Sequence, residues 1–262
     1  MPAVGEAIIE FEHVTIHREG RAALEDVSFR IGRGEHTVIL GPNGSGKSTL
    51  IKALTRELYP RYPERSRVRL WGKETWRLFD LRSLLGIVTN DLVADCTRPY
   101  TALETVLSGF FSSIGIWPNH HVTAEMERRA LDALRFFDLE HLASRPLTEM
   151  SSGEVRRAVF ARALVHEPQA LLLDEPTNSL DVRAQHEVRE AMQRLARTGV
   201  TVILVTHHLS DVIPEIERAI LLQQGRIVFD GPKQSALNRE RLSALFGVEV
   251  RMEQSGGLYH MW

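Results

Sequence analysis

Cysteine is almost missing from this chain: Cys96 is the only one in 262 residues, so no disulfide can form within it. That excludes a small secreted design stapled by disulfides, and Cys96 itself reads as a small core or loop residue. An excess of one charge is also missing, since 32 Lys and Arg face 34 Asp and Glu for a net charge of -2. A protein that held nucleic acid through bulk electrostatics would be basic, which leaves only a local basic face open. No apolar run approaches the roughly 20 residues needed to cross a bilayer, so any membrane role must come through a partner. The opening stretch "MPAVGEAIIEFEHV" lacks a basic segment followed by an apolar core, and no export signal is expected there. No repeat, low-complexity tract or dividing linker is evident.

With 43% apolar and 25% charged residues the chain has the usage of a globular protein. Its length suits one large domain or two small ones with a sizeable core. "AIIEFEHVTIH" and "LEDVSFRI" alternate apolar and polar residues as half-buried strands do, and "HTVIL" is a short buried strand ending in glycine. "TLIKALTREL" has helical spacing and stops before the Pro60 to Pro63 stretch. "SRVRLWG" and "LLGIVTN" offer two more strands. From about Asp91 to Met150 the pattern turns helical with breaks, through "TALETVLSGFF", "TAEMERRALDALRFFDL" and "EHLASRPLTEM", and reads as a helical insertion. Then "ALLLDEPT" and "TVILVTHH" read as strands, followed by helical patterns over 182–196 and 209–216, the alternation of a covered parallel sheet. A hairpin around Gly225, a last helix over 233–246 and a closing hairpin around Gly256 and Gly257 complete the expectation.

"GPNGSGKST", Gly41 to Thr49, fits G-x-x-x-x-G-K-[ST] and lies between a predicted strand and a predicted helix, the context that the motif requires. Gly41, Gly44 and Gly46 would let the backbone curl so that its N–H groups point at phosphate oxygens, with Pro42, Asn43, Ser45 and Thr49 completing the loop. Lys47 would neutralise the β and γ phosphates of ATP, and the Ser48 hydroxyl would ligate Mg²⁺. In "ALLLDEPT", Asp174 is placed to hold the metal's water shell and Glu175 to orient an attacking water. Successive strand residues point to opposite faces, so a bend after Asp174 is required, and Pro176 is consistent with one. A second glycine turn, "MSSGEVRR", then raises the question of what it grips.

Taken in order, "GPNGSGKST", "MSSGEVRR", "LLLDEPT", "NSLD" and "VTHH" resemble the nucleotide-binding domain of ATP-binding cassette (ABC) proteins, over nearly the whole chain. The resemblance implies an α/β fold: a P-loop NTPase core with a parallel sheet, an antiparallel β subdomain and an inserted α-helical subdomain. A single cassette would span 1–262, with the core in 1–90 and 158–262 and the insertion at approximately 91–157. It implies an ATPase that works as a head-to-tail homodimer, each MgATP lying between the phosphate loop of one copy and the signature turn of the other. Ser151, Ser152, Gly153 and Glu154 would then grip the partner's ATP at the start of a helix, where Ser151 or Ser152 also caps free N–H groups. Asp181 would pass information between the two sites. His207 would contact the γ-phosphate and position Glu175, whereas metal binding by His207 and His208 has no supporting ligand spacing.

Four features depart from the family pattern. The signature reads Met150, Ser151, Ser152, Gly153, Glu154 in place of LSGGQ, a variant similar to those of molybdate-related cassette ATPases. Asn90 stands where a metal-coordinating, partner-sensing glutamine is usual and is one methylene shorter. Arg18, beside His17, stands where an aromatic ring commonly stacks on adenine; it would stack there itself, with lax base selectivity, or lie solvated in its turn. The 17-residue tail "FGVEVRMEQSGGLYHMW" matches no regulatory domain. The implied role is the ATP-hydrolysing subunit of a transporter, peripheral on the cytoplasmic face of the membrane, driving an integral-membrane permease docked near Asn90 and residues 93–120. Phe110, Phe111 and Trp117 would be docking anchors if exposed, or the insertion's own core if buried. The rival readings are a soluble cassette ATPase acting on nucleic acid or the ribosome and a low-turnover ATP switch. The first usually needs two cassettes or a coiled-coil insertion, and the chain shows neither; Glu175 and His207 argue against the second, which the altered Asn90 keeps open.

Overall fold

The computed structural model describes residues 6–62 and 64–262. In chain order these form β1 (Ala7–Arg18), β2 (Arg21–Gly32), β3 (Thr37–Leu40), α1 (Lys47–Leu54), β4 (Arg67–Leu70), α2 (Leu78–Leu84), β5 (Leu85–Val88) and α3 (Asn90–Cys96). There follow α4 (Ala102–Leu107), α5 (Ala124–Phe136), α6 (Ser152–Leu164), β6 (Ala170–Asp174), α7 (Val182–Arg197), β7 (Thr201–Thr206), β8 (Arg218–Gln223) and β9 (Arg226–Pro232). The chain closes with α8 (Lys233–Ala236), α9 (Arg239–Phe246), β10 (Met252–Ser255) and β11 (Leu258–Met261). Two compact units are present, one built from 1–76 and 201–262 and the other from 77–200.

In the first unit β1 pairs antiparallel with both β2 and β4, and the alternation of their side chains buries one face. Phe11 and Phe29 stack across β1 and β2 with ring centroids 4.7 Å apart. A second sheet places β3 between β7 and β8, parallel to both, and β9 antiparallel to β8. Every residue of β3 and β7 is buried, as strands covered on both faces must be. The β8–β9 hairpin turns through Gln224 and Gly225, both with positive φ, which is what a two-residue turn of this hand demands. The closing hairpin is also present, as β10 paired with β11.

In the second unit β5 and β6 run parallel. α6 buries Val155, Ala158, Val159 and Phe160, and Phe160 meets Phe137 edge to face at 5.9 Å. α7 turns Ala184, Val188, Ala191, Met192 and Leu195 inward and its charged residues outward, an amphipathic helix fixed by spacing.

Three helical expectations are corrected. The stretch 209–216 forms only a single 3₁₀ turn, Leu209–Asp211, because Pro214 cannot continue a helix and Val212 and Ile213 are buried. Residues 233–246 divide into α8 and α9, since the Asn238 side chain accepts from the Arg241 N–H and starts a new helix. Residues 140–150 make two 3₁₀ turns on either side of Pro146. α2, with only Leu81 buried, was not anticipated.

Candidate functional site

The phosphate-loop residues follow β3, where the Gly41 N–H donates to the Thr206 carbonyl at 3.3 Å. The glycines are required for different reasons. A Cβ on Gly41 would lie 2.2 Å from the Leu222 carbonyl oxygen, so this position is fixed by close packing of the backbone. Gly44 has φ +79 with open space around it, and Gly46 combines φ +108 with a Cβ position 2.6 Å from the Ala23 carbonyl oxygen. No side chain caps the first turn of α1. Lys47, 7% exposed, curls back so that Nζ donates to the carbonyls of Gly41 at 2.7 Å and Pro42 at 3.1 Å. Ser48 is exposed. The buried Ser45 hydroxyl has no partner among the described residues. An unpaired buried hydroxyl, uncapped N–H groups and a lysine at the head of one helix suit a polyphosphate, and the exposed Ser48 hydroxyl suits a hard cation.

β6 delivers Asp174 half-buried at its end and Glu175 buried immediately after it. Glu175 has φ +46, the left-handed region, so the chain bends where the two acids leave the strand. The Asn178 N–H closes this turn on the Glu175 carbonyl at 3.1 Å. Asp181 is exposed and caps α7, its Oδ1 accepting from the Ala184 N–H at 2.8 Å. His207 and His208 follow β7 with ring centroids 3.8 Å apart, and the His208 N–H is held by the Thr206 hydroxyl at 3.0 Å.

Ser151 and Ser152 lie exposed at the head of α6. Ser151 caps the helix and Glu154 completes a capping box: one Glu154 oxygen accepts from both the Ser151 N–H and its hydroxyl. Partial burial pushes the Glu154 carboxyl up, but the two Ser151 bonds, with Arg157 and Arg145 nearby, hold it below the ordinary glutamate value. Gly153 is buried, and a Cβ there would lie 2.8 Å from the Cβ of Ala184 on α7. Helix packing therefore demands glycine at this position irrespective of any ligand.

Asn90 starts α3, and its side-chain oxygen accepts from Nη1 of Arg156 at 2.9 Å. Arg156 was not among the expected site residues. The signal was available, because Arg156 shares a helix face with Val159 and Phe160, three and four residues on, both buried. Arg18 is exposed at the end of β1, and His17 Nδ1 lies 2.8 Å from a guanidinium nitrogen of Arg61. Of the candidate anchors, Phe110 is buried, Phe111 stacks on His120 at 4.1 Å, and Trp117 is 55% exposed. Phe110 is thus removed as an exposed anchor.

The sequence profile of the ABC transporter family matches residues 24–178, a stretch holding the phosphate loop, the signature turn and the acidic strand end. The chain belongs to the ABC transporter family. This cassette is 34% identical to the hemin import ATP-binding protein HmuV of Bradyrhizobium diazoefficiens, over 96% of this chain and 93% of that one. Its fold is similar to that of cbiO1 from Clostridium perfringens, part of the ABC transporter complex cbiONQ, with a TM-score of 0.77, 27% identity and coverage of 91% and 94%. It is also similar to the cassette MJ0796 in a dimeric post-hydrolysis state bound to ADP and Pi, with a TM-score of 0.70, 28% identity and coverage of 86% and 98%. The cassette is accordingly an ATPase with the α/β P-loop NTPase fold, taking ATP and Mg²⁺. None of these three is described as a molybdate cassette, and the comparisons establish the family without that subgroup. Among the described residues no helix is long and apolar enough to cross a membrane.

Proposed function

We propose that two copies of this cassette pair head to tail around two ATP molecules and drive an integral-membrane permease from the cytoplasmic face. The observation that carries this reading is that the chain has two phosphate-suited helix heads: the Lys47 end of α1 and the exposed Ser151 end of α6. One triphosphate needs only one loop, so the second head is free to serve the partner's nucleotide. The relatives' roles, hemin import for one and membership of a transporter complex for another, support the transport half of the reading.

In this reading the single cassette spans 1–262, with a helical insertion at approximately 91–157. Gly41, Pro42, Asn43, Gly44, Ser45, Gly46, Lys47, Ser48 and Thr49 cradle the triphosphate, Arg18 lies under the base, and Ser48, Asp174 and Asn90 serve the metal. MgATP supplies the phosphoanhydride that water cleaves to ADP and phosphate. Lys47 trades its bonds to the loop's own carbonyls for phosphate oxygens, which stabilises charge developing there. Glu175, held at the bend, accepts a hydrogen bond from the attacking water and raises its nucleophilicity. His207 positions Glu175, Asp181 signals across the pair, and Ser151, Ser152 and Gly153 close the cage from the partner, with Glu154 as the cap.

Purification from detergent-solubilised membranes tests the partner. Recovery with a polytopic membrane protein is expected; recovery with ribosomes or nucleic acid would favour the soluble reading and contradict this one.

A further inference from the structure

Arg156 is 5% exposed within α6, on the helix face it shares with the buried Val159 and Phe160, where an apolar residue would pack without the cost of burying a charge. Its three nitrogens are used unequally. Nη1 donates to the Asn90 side-chain oxygen at 2.9 Å and Nη2 to the Asn178 carbonyl at 3.3 Å, while Nε has no partner among the described residues. The negative charge of Asp174 also acts on this guanidinium. One side chain thus bonds the head of α3 and the turn that Glu175 and Asn178 close after β6. It sits on the same helix whose exposed end is Ser151.

We propose that Arg156 is a positioning residue for ATP hydrolysis, holding the Glu175 turn in register with Asn90. The argument is geometric. Glu175 is a non-glycine residue at φ +46, a conformation that persists only where its surroundings impose it. The carbonyl of Asn178, three residues on, is gripped by Arg156, so the guanidinium clamps that turn. Asn90 is too short to do by itself what a glutamine would, and Arg156 reaches 66 positions along the chain to take up its oxygen. A rigid helix places this clamp little more than one turn from Ser151, so a shift of α3 is felt at the acidic turn and at the signature end together.

This rests on the cassette being an active ATPase, and the test separates the two. Steady-state phosphate release by the full chain with MgATP is measured for wild type, Asn90→Ala, Arg156→Gln and the double variant. Arg156→Gln should lower kcat about tenfold with KM for ATP changed less than about twofold, and the double variant should be slowed by less than the product of the two single effects, because Asn90 and Arg156 share one bond. Arg156→Lys, which keeps the charge beside Asp174, should recover about a third or more of wild-type kcat. Multiplying effects in the double variant, or an unchanged kcat in Arg156→Gln, would overturn the proposal. If Arg156→Gln does not fold, the cycle is run with Arg156→Lys, where multiplying effects likewise overturn it. A wild-type chain releasing no phosphate would overturn it together with the reading on which it rests.

Discussion

The hydroxyl and the backbone N–H of Ser151 both donate to one carboxylate oxygen of Glu154, each at 2.8 Å, and the Glu154 N–H donates back to the Ser151 hydroxyl at 3.3 Å. The cap therefore places a negative charge beside the serine that is proposed to meet the partner's phosphate. Glu154→Gln keeps an amide oxygen for the cap and removes the charge. Its thermal midpoint should fall by no more than about 3 °C, and the ATP concentration that half-populates the dimer should drop about threefold. Light scattering across an ATP titration checks this. A higher ATP requirement would show that the carboxylate assists assembly.

Ser151 is exposed at the head of α6, and its proposed work is done on the other copy's nucleotide. Ser151→Arg should lower turnover at least about a hundredfold while monomer affinity for a fluorescent ATP analogue stays within about twofold. Lost monomer affinity would contradict the assignment.

Gly153→Ala tests helix packing rather than catalysis. The new methyl would lie 2.8 Å from the Ala184 Cβ, well inside the roughly 3.5–4.0 Å at which carbons rest, and α6 and α7 would have to part. Urea unfolding should show a loss of about 1–3 kcal/mol. Unchanged stability would mean that the helices yield freely at this point.

His36 links pH to the stability of the first unit. Its Nδ1 accepts from the Val202 N–H at 3.1 Å and must be unprotonated to do so. Burial holds the imidazole below its ordinary value, opposed by the nearby Glu215 and Glu217. With the folded pKa depressed, the unfolded chain binds the extra proton first. Stability is therefore complete above about 6.5 and is lost as pH falls through the lower folded value. The thermal midpoint of wild type should decline from pH 7.5 to 5.5 more steeply than that of His36→Gln. Equal slopes would remove His36 from the account.

Local features were legible in the sequence. Alternation in "AIIEFEHVTIH" and the all-apolar "TVIL" announce β1 and β3, and the bend required after Asp174 appears as the left-handed backbone of Glu175. The reason for a glycine was harder to read: Gly153 is fixed by Ala184 and Gly41 by Leu222, neighbours that only the fold brings close. Arg156 and Asn90 meet across 66 residues, and no periodicity encodes that. The 209–216 stretch has helical spacing, yet Pro214 and local turn bonds decide otherwise.

The shared cage is tested most directly by the structure of Glu175→Gln with ATP and Mg²⁺, since this variant keeps the acid's shape but cannot polarise water. A stable dimer is predicted, with Ser151 of each copy within hydrogen-bond reach of the γ-phosphate held by Lys47 of the other. A monomer in saturating ATP, or a dimer with the Ser151 end of α6 remote from any triphosphate, would contradict it.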